Sequence, residues 1–160
     1  MHRVALCLLL LACSRGPERF SSRADLGPLR ERLRAAGGDP ARVLHIRAAS
    51  DLARLEFGER YKYAIPEDGR FRVAPTPASA AGNEYVHPLL VDGARVRTAG
   101  HLIVKHKDGV VSGVMLDRES AAYCPSQGSL QEAISALRAL GIARTKISVD
   151  PVPPHCEPAR

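Results

Sequence analysis

Two Asp-Gly pairs in the carboxy-terminal half, Asp92-Gly93 and Asp108-Gly109, lie between short β-rich runs and constrain the fold more than any other feature of the chain. Asp-Gly supplies two residues that tolerate positive φ, as the tightest hairpin turns require. Tyr85–Val91 precedes the first pair and Ala94–Arg97 follows it. His101–Lys107 precedes the second and Val110–Leu116 follows it. Upstream, residues 60–65 alternate, Glu67-Asp68-Gly69 turns, and Phe71-Arg72-Val73 alternates back, which is a further hairpin signal. These runs predict an antiparallel meander.

Helices interrupt the pattern at two places. Ser129 and Glu132 have the spacing of a capping box, and Leu130, Ala133, Ile134, Leu137 and Leu140 follow at helical spacing up to Gly141. Leu26, Leu29 and Leu33 form a shorter stripe, with Asp25 near its start and Gly37-Gly38 at its end. Leu52 and Leu55 suggest a brief helix ended by Gly58, and Val43–Ile46 a short strand. Ile142–Val149 reads as a last strand before the extended Pro151–Pro154 tail. The expected class is α+β: an antiparallel sheet of five or six strands. One face is covered by the 129–140 helix, and the 26–36 helix is a second candidate for that cover.

The first twelve residues have the pattern of an export leader. Arg3 supplies the basic start, and Val4–Ala12 is a run of nine apolar residues, too short to span a bilayer. Leu10-Leu11-Ala12-Cys13 resembles the lipobox of bacterial lipoproteins, which implies cleavage before Cys13 and acylation of that cysteine with chains such as palmitate. Several buried acyl chains hold a protein far more firmly than one. Ser14 follows Cys13, and the sorting pattern of enteric bacteria then implies an outer-membrane destination. The expected partner at this end is the membrane.

Cleavage removes one charge, leaving (23 − 1) − 17 = +5. Apart from Arg30, Arg32 and Arg34, the basic residues are interspersed with acids, so a solvated surface is expected and no sequence-specific nucleic-acid binding. Aromatics are 4% of the chain, too few to supply stacking platforms. Cys124 and Cys156 remain in what should be an oxidising compartment. They are candidates for a disulfide that would staple the tail, with two free thiols as the alternative. His155-Cys156 offers too few ligands for a metal site.

The organisation expected is a signal peptide (1–12), a tether (13–24), a helix and hairpin section (25–74), a linker loop (75–83), an α+β unit (84–150) and a Pro-rich tail (151–160). Within residues 85–149, His87, Gly93, Ala99-Gly100-His101, Asp108-Gly109, Ser120-Ala121-Ala122-Tyr123-Cys124-Pro125-Ser126 and the helix into Gly141-Ile142 follow one another in order. This order resembles the carboxy-terminal domain of bacterial polymorphic toxins, whose motif reads Ser-Gly-His-Tyr-Arg-Pro-Ser. Where that family has Glu, Gly-His and Arg, this chain has His101, Ala121-Ala122 and Cys124. His87, Ser120, Tyr123, Pro125 and Ser126 carry over. The resemblance points to His87 and Tyr123, and then His101, as catalytic or ligand-contacting groups.

Each of these residues also has a plainer reading. His87 suits a strand edge, Tyr123 a packing position, and Ser126 and Ser129 helix caps. Asp117 and Glu119 read as solvated loop charges. His101 and His106 face opposite sides of a strand, so no metal is assigned. No Walker or dinucleotide glycine motif is present, and no cofactor is assigned. Two functions fit. One is a lipid-anchored envelope protein with a toxin-like domain, acting in interbacterial competition and matched by an immunity protein. The other is a non-enzymatic outer-membrane lipoprotein that binds a protein or small ligand.

Overall fold

The computed structural model describes residues 18–39, 42–76 and 86–151. The leader, Cys13, Tyr85 and Cys156 lie outside the described residues, as do most of the 75–83 linker and of the 151–160 tail. The fold is α+β. Six strands form one mostly antiparallel sheet in the order β1-β3-β2-β4-β5-β6. They are β1 (Leu44–Ile46), β2 (Arg60–Pro66), β3 (Phe71–Pro75), β4 (Val96–Lys107), β5 (Val110–Leu116) and β6 (Ile147–Val149). The helices are α1 (Leu26–Ala35), α2 (Ala49–Leu52), α3 (His87–Leu90) and α4 (Leu130–Ala139). β2 pairs directly with β4, so strands from both sides of the 75–83 segment belong to one sheet.

Alternation along the strands builds two apolar layers. Tyr61, Tyr63 and Ile65 of β2 point to one face with Leu102, Val104, Val114 and Leu116. The stripe Leu130, Ala133, Ile134 and Leu137 of α4 covers them, joined by Leu52 and Leu55 around α2. A fully buried leucine such as Leu137 contributes about 1.5–3 kcal/mol there. The other face presents Ala64, Ala74 and Ala99, against which Leu33, Leu90, Val91 and Tyr123 pack. Here α1 departs from the expectation that it shares the α4 face. The small alanines let α3 lie close to the sheet, and Leu33 of α1 closes over that layer.

Several local expectations are corrected. His87 lies on a helical turn, not in a strand, because Pro88 suits the first turn of a helix, where its missing N–H is not needed. Asp92 (φ 53°) and Gly93 (φ 76°) have nearly the same φ values as Asp108 (φ 51°) and Gly109 (φ 73°). Only the second pair closes a hairpin, between β4 and β5; the first joins α3 to β4. Residues 94–97 and 101–107 were expected as separate strands, but one strand of 12 residues runs from Val96 to Lys107 through Gly100.

The capping box is not made. Ser129 Oγ donates to the Ser126 carbonyl at 2.7 Å and lies 3.0 Å from Thr98 Oγ1, while Glu132 pairs with Arg97 at 3.4 Å. The buried Thr98 hydroxyl competes for the Ser129 side chain. Ser126 serves as the cap instead, its Oγ accepting from Ser129 N at 3.3 Å. The last strand is also shorter than expected. A 3₁₀ turn at Arg144–Lys146 precedes β6, which pairs with β5 in parallel. A parallel neighbour needs a crossover, and α4 provides it, so the topology is not a pure meander.

The stretch read as a tether is seated at its end. Phe20 bridges Val96, donating at 2.8 Å and accepting at 2.9 Å through the backbone. Arg19 pairs with Glu67 at 3.5 Å, and Glu18 accepts a hydrogen bond from Ser126. Among the described residues, no helix is long and apolar enough to cross a membrane.

Candidate functional site

One group of charged side chains stands out on the alanine-lined face. β2 and β4 are paired so that Lys62 lies opposite His101. Arg60 and Lys62 on β2, and His101 on β4, all project to this face. The chain leaves β5 at Leu116 and folds back over β4, which Gly100 allows. A Cβ at Gly100 would stand 2.2 Å from the Asp117 carbonyl oxygen, so only glycine admits this crossing. The Asp117 carbonyl accepts from the Tyr63 hydroxyl at 2.8 Å, and Asp117 N donates to His101 O at 3.0 Å.

Asp117 is thereby buried beside His101. Its Oδ1 accepts from His101 N at 2.7 Å and Glu119 N at 2.9 Å. Burial pushes the Asp117 carboxyl up. The hydrogen bond and charge of His101 and the two backbone N–H groups outweigh it and hold the acid at about 2. His101 Nδ1 lies 3.2 Å from Asp117 Oδ1 and 3.8 Å from Glu119 Oε2. Arg60 Nη2 donates to Asp117 Oδ2 at 2.9 Å and Glu119 Oε2 at 2.7 Å, and stands 3.0 Å from His101 Nδ1. Asp117 and Glu119, expected as solvated charges, are therefore engaged, because the loop lies on the sheet rather than in solvent.

His101, Asp117 and Glu119 offer one ligand-type atom each, all within 4.8 Å of one another, so this trio has the donor set to hold a metal ion. His101, with a carboxylate on its Nδ1, also has the layout of an imidazole oriented for proton transfer.

The other two residues indicated by the resemblance are placed differently. His87 is buried, its Nε2 donating to the Gly100 carbonyl at 2.8 Å and its ring edge-on to His101 with centroids 5.5 Å apart. Burial drives its pKa down to about 3, so it is neutral at ordinary pH. The Tyr123 hydroxyl donates to the Ala94 carbonyl at 2.8 Å, and burial pushes the phenol up to about 12. Ser120, adjacent to Glu119, is 1% exposed and its Oγ has no partner among the described residues. Cys124 is disulfide-bonded and adopts φ 46°. His106 is remote from the cluster, its Nε2 donating to Leu55 O at 3.1 Å.

Arg60, Asp117 and Glu119 were not among the expected site residues. A concavity of about 420 Å³ lies on the opposite face, between the β1–β3 edge and the end of α4, and includes Arg47 and Arg70.

The chain matches no protein-family profile, no curated protein and no solved structure.

Proposed function

We propose that the chain is a lipid-anchored protein of the bacterial cell envelope, held in the outer membrane through Cys13, that works by binding a protein or small ligand. One observation carries the choice of binding over catalysis. His87 and Tyr123, the residues the toxin resemblance points to most strongly, each spend their polar group on a backbone carbonyl. Both residues are also buried, His87 6% and Tyr123 4% exposed, so neither presents its remaining polar atom to a substrate arriving from solvent. The disulfide at Cys124 supports an oxidising compartment outside the cytoplasm, and Cys156 is its proposed partner.

The toxin-like reading is the second, favoured by a different observation: His101, Asp117 and Glu119 gather where the motif loop meets the sheet. Under that reading a cognate immunity protein covers this face.

The full chain expressed in a surrogate bacterium with a labelled fatty acid tests both. Incorporation of label and recovery in the membrane fraction, both lost on Cys13→Ala, are expected. An unlabelled, freely soluble wild type rejects the anchor. Growth arrest relieved by His101→Ala in a folded protein would move the assignment to the toxin class.

A further inference from the structure

We propose that His101, Asp117 and Glu119 form a binding site for one divalent transition-metal ion of the zinc class, with the Arg60 guanidinium as a displaceable occupant. The inference does not depend on how the chain is anchored.

The first support is convergence. Three ligand-type atoms from two separate segments point at one position, and the atom now there, Arg60 Nη2, is cationic and 2.7, 2.9 and 3.0 Å from them. The second is spacing. Ligands about 2.0–2.1 Å from a tetrahedral ion lie about 3.3 Å from each other. His101 Nδ1 is 3.8 Å from Glu119 Oε2, close to one edge of such a tetrahedral face, and the Asp117 carboxylate comes within 3.2 Å of the same nitrogen through its other oxygen, Oδ1. The third is support around the ligands. Asp117 is fixed by two backbone N–H groups, and Tyr63 holds its carbonyl. Metal-ligating carboxylates are held in this way.

The occupant is the movable part. The His101 and Asp117 side chains are 11% and 9% exposed, whereas that of Arg60 is 46% exposed. Arg60 can swing to solvent while the ligands stay. One imidazole with two carboxylates suits zinc and its neighbours better than calcium or magnesium, which prefer all-oxygen shells. Lys62, buried on the same face, opposes any cation there and keeps the affinity moderate.

The test is equilibrium dialysis of Zn²⁺ against the full chain, with thermal melting in parallel. Wild type, Arg60→Ala, His101→Ala and the Arg60→Ala/His101→Ala double variant are compared. One ion per chain is expected at the site. Binding should be about tenfold or more tighter in Arg60→Ala, and weaker by about 100-fold in either variant lacking His101. Zn²⁺ should raise the melting temperature of the wild type and not that of His101→Ala, so the answer stands even if Arg60→Ala folds poorly. Co²⁺ in place of Zn²⁺ should give visible bands without a thiolate charge-transfer band, which separates this site from cysteine ligation. Binding unchanged in His101→Ala, a thiolate band, or no binding to a cooperatively melting Arg60→Ala protein overturns the proposal.

Discussion

Gly100 makes room for the site, because the loop carrying Asp117 and Glu119 lies against it. Gly100→Ala should destabilise the protein by about 1–3 kcal/mol, seen as a lower urea midpoint with an unchanged slope. His87 makes a different prediction. It stays neutral down to about pH 3 in the fold, against an ordinary 6.5 in the unfolded chain. Between those values the unfolded chain binds a proton that the folded chain excludes, so stability is full above about pH 6.5. It falls by about 1.4 kcal/mol per pH unit as the pH drops toward 3. Urea midpoints in metal-free buffer should show this slope, and His87→Gln should flatten it by that amount. Tyr123→Phe should cost only about 1 kcal/mol, the worth of one neutral hydrogen bond; a collapse of the fold would show that more hangs on the hydroxyl. At this scale the sequence made His101 visible as a candidate through the motif. Arg60 stayed hidden because nothing local to it signals a partner 57 residues away.

The elements show where legibility ends and why. The Asp108-Gly109 turn sets the pairing of β4 with β5: Lys107 opposes Val110, and after a bulge at Lys105/His106, Leu102 opposes Leu116. Counting back from the turn brings His101 level with Asp117 to within one residue, so this half of the site was implicit in the hairpin. The bulge was not, since an extra residue in a strand leaves no periodic mark. Asp92-Gly93 misled because its positive φ values fix the turn but not the element before it. The α4 stripe was readable in full, as its spacing reports one buried face directly. Leu137→Ala should cost about 2–5 kcal/mol by leaving a cavity over the sheet, measurable by chemical denaturation. β6 was misplaced in length because the 3₁₀ turn at Arg144–Lys146 carries no Gly or Pro to mark a break before Ile147.

At the scale of the molecule, the β2–β4 pairing ties the two ends of the described chain into one sheet. Thermal unfolding should therefore show one transition, with fluorescence and far-UV circular dichroism coincident. Two separated transitions would mean that the helix and hairpin section melts on its own. Reducing the Cys124 disulfide should lower stability by about 2–4 kcal/mol without changing that cooperativity. The small backbone bridge between Phe20 and Val96 sets a distance. With acyl chains on Cys13, as proposed, seven residue steps separate the lipid from the point where the chain is fastened to the sheet. Fully stretched, they reach about 25 Å. The fastening point then stays within that reach of the lipid, and the domain's encounters are those of a two-dimensional surface, where partners in the same membrane are concentrated.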